Sequence, residues 1–168
     1  YVASSPRAVP EDAEAPVDIP DYDDCELPPA PDEGPKPAIT ERLAIRIYPG
    51  DEGFRNGRPT GEARIRGGFA FADHEPIDAI GLLLVADAFP PPVFNTDLPV
   101  AWAPTVELTV HIRGVPAPGP LRCSFRSRFV HDGMLDEDGE SDRGVVGGGK
   151  GLAIAAVDFD DWCDERHD

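Results

Sequence analysis

From residue 39 onward the apolar positions fall mostly into period-two runs, interrupted once by a solid apolar stretch. Leu43, Ile45 and Ile47 alternate with Arg42, Ala44 and Arg46, which predicts a strand. A turn-rich stretch over 51–61 follows. Ala63, Ile65, Gly67, Phe69 and Phe71 then share one face of a second strand, with Arg64 and Arg66 on the other. Pro76 suits a first helical turn, and Asp73, Glu75 and Asp78 suit its positive end. Between Ile80 and Ala86 the chain is apolar nearly all round, which predicts a buried helix over about 76–88. Pro90, Pro91 and Pro92 stop it.

The remainder reads as strands. Val106, Leu108, Val110 and Ile112 alternate with Thr105, Glu107, Thr109, His111 and Arg113. Leu121, Cys123, Phe125, Ser127 and Phe129 alternate with Arg122, Ser124, Arg126, Arg128 and Val130. Asp136-Glu137-Asp138-Gly139 reads as a turn, and a glycine-loosened last strand is expected over about 145–157. Two strands, one apolar helix, then three or more antiparallel strands predict an α+β domain. Its sheet would curve around one long buried helix, the hotdog architecture.

Composition changes the picture mainly at the ends. The net charge is −17, but residues 1–37 hold ten acids against Arg7 and Lys36, and residues 158–168 hold six against Arg166. Nine prolines in 1–37 complete a segment that cannot offset its own ordering entropy. The expected division is a Pro/acid-rich linker or arm over 1–37, a folded domain over 38–157 and an acidic tail over 158–168. Within the arm, 17–20 and 25–28 carry apolar residues that could lie along a folded surface. Such acidity argues against a nucleic-acid partner, which needs a basic footprint. No apolar run approaches the ~18 residues of a membrane span. Cys25, Cys123 and Cys163 form no CxxC pair, so neither a zinc site nor a disulfide framework is signalled, and a cytoplasmic location is the default. The chain starts at Tyr1 rather than Met, which suits a piece of something longer.

Most motifs carry little chemistry. Gly144-Val145-Val146-Gly147-Gly148-Gly149-Lys150-Gly151 resembles a phosphate loop but lacks the final hydroxyl residue and the helix that must come after it. His74, His111, His131 and His167 are scattered, so no metal or cofactor is expected. Arg42, Arg46, Arg64, Arg66, Arg122, Arg126 and Arg128 all fall opposite apolar strand faces. They form either an anion-binding stripe or a solvated face paired with acids of this same chain. Asp87 stands out. It closes the apolar run at the negative end of the predicted helix, where Leu83, Leu84 and Phe89 would desolvate it.

Residues 75–139 add a resemblance. Gly81-Leu82-Leu83-Leu84-Val85-Ala86-Asp87-Ala88-Phe89-Pro90-Pro91-Pro92-Val93-Phe94 resembles the helix and exit loop of the second hotdog in acyl-CoA thioesterase II-like proteins. Trp102-Ala103-Pro104-Thr105-Val106-Glu107-Leu108-Thr109-Val110-His111 and Asp136-Glu137-Asp138-Gly139-Glu140 resemble the next strand and the late turn of that family. Family chains carry two hotdogs joined by a linker, and this one looks like the linker plus the C-terminal half. The resemblance implies acyl-CoA as substrate and either a homo-oligomer or an N-terminal hotdog as partner.

It also implies a site in which an Asp, a Thr or Ser and a Gln orient a water. The Asp carries over to Asp87 and the hydroxyl to Thr105. The Gln does not: matching Leu152-Ala153-Ile154 to the family's last strand puts Gly151 in its place, and the chain contains no Gln at all. Asp87 would act as base, Thr105 would hold the water, and one positioning group would be missing. An impaired acyl-CoA hydrolase is therefore expected. The alternative is a non-catalytic hotdog for dimerisation or acyl binding. A hotdog dehydratase ranks last, because its histidine belongs on the central helix and His74 precedes it.

Overall fold

A computed structural model describes residues 19–27, 38–100, 103–112, 116–131, 133–142 and 151–158, with the backbone alone for Asp142 and 151–158. The elements are β1 (Leu43–Ile47), β2 (Arg64–Phe71), α1 (Ala79–Asp87), β3 (Thr105–His111), β4 (Leu121–Arg126), β5 (Val130–His131), β6 (Met134–Asp142) and β7 (Gly151–Asp158). All strand pairs are antiparallel, in the spatial order β1-β2-β4-β6-β7-β3, with β5 hung on β6. The curved sheet carries α1, the one α-helix among the described residues, against its inner face, the hotdog arrangement expected from the pattern.

The period-two reading holds where burial enforces it. Ile47, Ile65, Phe69, Leu121, Cys123 and Phe125 line the inner face with Ile77, Val85 and Phe89 from the helix and its flanks. Phe89 stacks on Phe125 with ring centroids 4.7 Å apart. Gly67 makes room for that ring and for β1: a Cβ there would lie 2.0 Å from the carbonyl oxygen of Arg46 and 3.1 Å from Phe89.

Two expectations are corrected. Residues 136–139 are not a turn but the middle of β6, paired with β4 and β7. Gly139 belongs there because Phe125, directly opposite, lays its ring where a Cβ would be, at 2.3 Å. The reversal instead lies at Gly133, whose φ of 73° only glycine adopts freely. The helix, in turn, is nine residues long and starts after Pro76, with Asp78 as its N-cap. It is buried on one side only: Gly81, Val85 and Ala86 are covered, while Ile80 is 75% and Leu83 44% exposed. No helix among the described residues is long and apolar enough to cross a membrane.

Residues 19–27 lie along the outer face and the β1 edge. Glu26 and Ile47 exchange backbone hydrogen bonds of 2.9 and 2.8 Å, which blunts that edge. Tyr22 packs over Gly68, with the Arg46 guanidinium 4.4 Å above its ring. Arg122 bonds the Ile19 carbonyl and Asp21. The arginine stripe is thus largely paired within the chain: Arg46 with Asp23, Arg122 with Asp21, Arg64 with Glu62, and Arg126 and Arg128 with Asp138. Arg66 departs from it altogether, being buried in a two-pronged pair with Asp51 at 2.8 and 3.0 Å.

Candidate functional site

The C-terminal end of α1 is held by the residues that come after it. Asp87 is the last helical residue, and Ala88 closes the turn onto Val85. Phe89 then dives into the core, and the prolines at 90–92 forbid further helix. Pro92–Asn95 forms a buried 3-10 turn. Its Asn95 side chain donates to the carbonyls of Asp51 at 2.6 Å and Arg64 at 2.9 Å, tying the helix exit to β2 and to the Arg66–Asp51 pair.

β3 approaches the same place from the far edge of the sheet. Thr105, its first residue, sits opposite Val157, and the register shifts between Thr105 and Glu107. Such a bulge re-aims a side chain. The Thr105 hydroxyl donates to Oδ1 of Asp87 at 2.5 Å. The structure therefore brings together the two residues singled out in the sequence. The expected desolvation of Asp87 is not found, however. Leu83 and Asp87 are both exposed, and Leu84 is only half-buried, so the carboxylate opens to solvent.

Gly151 is not brought to this corner. It pairs with Ser141, whereas Thr105 meets β7 at Val157, six residues further along. At ~3.3 Å per residue that is roughly 20 Å away. Matching the last strand by its apolar spacing puts the missing amide at the wrong end of β7. A Gln at Gly151 would not reach Asp87.

One group at this corner is not legible in the sequence pattern. Glu137, in the middle of β6, is 7% exposed. Burial pushes its carboxyl up to about 8, and the charge of Asp87 adds to the effect. The three acids at 136–138 read as a turn, which hides the alternation of buried Leu135, Glu137 and Gly139. The signal that would find it is an acid at an inward position of a strand starting from Met134.

The family model of the acyl-CoA thioesterase C-terminal domain matches residues 22–141. Among solved structures, one described as a thioesterase II from Thermobifida fusca is 26% identical, with a TM-score of 0.70 over 92% of this chain and 57% of that one. A hot dog protein from Alicyclobacillus acidocaldarius (20% identity, TM-score 0.64, 95% and 57% covered) shares the fold. So does a protein described as a thioesterase from Novosphingobium aromaticivorans (20%, 0.65, 94% and 58%). The chain thus spans less than two thirds of the length of each. No curated protein sequence matches it.

Proposed function

The chain belongs to the acyl-CoA thioesterase C-terminal domain family, and on that premise we propose that it takes part in water-mediated hydrolysis of an acyl-CoA thioester. The observation that carries this reading is the Thr105–Asp87 hydrogen bond at an exposed corner. Thr105 donates to one carboxylate oxygen and accepts from a water; the other oxygen of Asp87 takes that water's proton. The hydroxide adds to the thioester carbonyl, and the tetrahedral intermediate collapses by breaking the C–S bond. The departing thiolate recovers the proton, leaving a carboxylic acid and free CoA.

Without a glutamine the corner has one positioning amide fewer, and losing such a donor costs on the order of a hundredfold in rate at comparable sites. Slow hydrolysis is the expectation. Buried free thiols at Cys25 and Cys123 suit a reducing, cytoplasmic setting. The exposed Ile80 and Leu83 suit a second hotdog, from another copy or an N-terminal domain, laid over α1.

A non-catalytic hotdog that dimerises or binds acyl chains is the second reading. The same apolar surface favours it, because it offers contact area without chemistry. Release of free thiol from acyl-CoAs of graded chain length separates the two. Enzyme-dependent release supports hydrolysis; acyl-CoA binding without release supports the alternative.

A further inference from the structure

The described arginines sort into two groups. Arg46, Arg64, Arg66, Arg122, Arg126 and Arg128 are each matched to a carboxylate of this chain. Arg55 and Arg58 are not. Both are exposed, and among the described residues neither forms an ion pair. Arg42 is exposed and unmatched too, but it precedes β1 at the far end of the sheet. In a chain of net charge −17, where acids outnumber bases about twofold, two guanidiniums left open on one loop are an exception.

That loop is pinned at both ends. Asp51 holds the amide and guanidinium of Arg66, and its carbonyl accepts from Asn95 at 2.6 Å. Gly61 donates to the Asn95 carbonyl at 2.7 Å. Between these anchors the Arg58 amide donates to the Gly53 carbonyl at 2.9 Å, and Gly57, at a φ of 64°, turns the chain between the two arginines. A Cβ at Gly53 would collide with the Arg58 carbonyl, so the loop closes this tightly only on glycine. The Arg55 guanidinium lies 5.4 Å from the centre of the Phe54 ring. Backbone order already in place leaves a ligand less to immobilise.

The loop stands at the same end of the sheet as the Asp87–Thr105 corner. Arg64, Arg126, Asp138, Ile154 and Thr109 form one cross-strand row. β2 and β3 run the same way, so the loop before Arg64 and Thr105 before Thr109 both lie beyond that row on one side. Four strand spacings separate β2 from β3, roughly 20 Å along the sheet. Apolar contacts fill the interval. Phe54 meets Phe94 at 6.0 Å between ring centroids, and Phe94 belongs to the cluster on which Ala103, two residues before Thr105, also packs. Asn95, which pins the loop, closes the helix exit behind Asp87.

We propose that Arg55 and Arg58 form the anion subsite for the nucleotide phosphates of CoA, with the pantetheine arm running past Phe54 to the Asp87–Thr105 corner. This rests on the hydrolytic reading of that corner given above. CoA has the matching form: a sulfur at one end, phosphates at the other and a long uncharged arm between them. The planar fork of Arg55, set against Phe54, can take two phosphate oxygens, and Arg58 adds a second charge. The subsite grips a part of the substrate that does not react, so it acts on KM and leaves kcat alone.

The test compares CoA with pantetheine, which lacks the nucleotide, by calorimetry on the full chain at low salt. CoA should bind roughly tenfold or more tighter, on the scale of charge-assisted hydrogen bonds to phosphate. Arg55→Ala with Arg58→Ala should abolish that preference, and Arg42→Ala should keep it. In hydrolysis the double variant should raise KM for acyl-CoA about tenfold, with kcat unchanged and acyl-pantetheine turned over as by the parent. A parent that binds CoA no better than pantetheine overturns the proposal, as does a double variant that keeps the parent's preference. A preference lost in the double variant of a chain that hydrolyses nothing supports the subsite and removes the hydrolytic reading. Hydrolysis of both thioesters untouched by the double variant removes the subsite and leaves the hydrolytic reading standing.

Discussion

Thr105 and Asp87, eighteen residues apart, are joined by a 2.5 Å hydrogen bond between the first residue of an edge strand and the last residue of the helix. It depends on the bulge after Thr105 and on the pinned helix exit. Thr105→Val keeps the shape and removes the donor, so kcat for acyl-CoA hydrolysis should fall ten- to a hundredfold, on the scale of losing one positioning hydrogen bond. Steady-state kinetics with the fold checked by circular dichroism measures it.

Asp51 and Arg66 form a buried pair that also receives the backbone amide of Arg66 at 2.9 Å. Asp51→Ala takes the carboxylate away from the buried guanidinium and should destabilise the domain by about 3–5 kcal/mol. Adding Arg66→Met should return a large part of that loss, because the buried charge goes with it. Urea denaturation of the single and double variants decides the matter.

Glu137 should make stability fall with rising pH. An unfolded Glu releases its proton near 4.5, while the folded protein keeps it up to about 8. Between those values the folded state binds more protons, so its advantage is whole below about 4.5 and is lost as pH rises through about 8. Glu137→Gln does not titrate. It should match the parent near pH 4.5 and exceed it by on the order of a few kcal/mol at pH 8, given ~1.4 kcal/mol for each pH unit between folded and unfolded values. Parallel melts across that range would show the two curves diverge.

Ile80 and Leu83 project from α1, and Val106 from the edge strand β3 is 60% exposed. Among the described residues no strand pairs with the outer edge of β3, and such an edge beside apolar surface invites a second sheet. Sedimentation at micromolar concentration should show a dimer or larger, and Ile80→Glu with Leu83→Glu should give a monomer that keeps its circular dichroism spectrum. A parent chain that sediments as a monomer contradicts this expectation.

The segment 19–27 can be probed through its own cysteine. Cys25 is buried, and its thiol is pushed up to about 11, chiefly by desolvation. It should alkylate slowly in the native protein. Tyr22→Ala removes the packing over Gly68 and the platform for Arg46, so alkylation of Cys25 should accelerate severalfold while Cys123, deep under the helix, stays protected. Mass spectrometry of the labelled peptides distinguishes the two thiols.

How far the chain can be read depends on how strongly burial constrains it. β1, β2 and β4 declare themselves through alternation because their inner faces meet Phe89 and Val85, and a polar residue there would be costly. α1 is visible for the same reason, but its pattern overstates its coverage: an all-round apolar helix implies a second covering layer, which a lone hotdog does not supply. β6 is hidden because consecutive acids mimic a turn, and only the Phe125–Gly139 and Leu135 contacts explain why it stays extended. Arg66 alternates like its surface neighbours, and nothing local announces that Asp51, fifteen residues earlier, will follow it inward. At the site, Asp87 is marked by its own position, whereas Thr105 is marked by family resemblance alone. The third group is misplaced because strand spacing fixes parity but not which end of β7 faces the helix.

The role of Asp87 as the base is measured most directly by the rate of free CoA release from a panel of acyl-CoAs by the parent chain and by Asp87→Asn at neutral pH. The amide preserves the shape and the bond from Thr105 but cannot take a proton. Slow, saturable hydrolysis is expected in the parent and a loss of at least a hundredfold, to background, in the variant. Hydrolysis that proceeds equally in both, or release that never exceeds the uncatalysed rate in either, would contradict it.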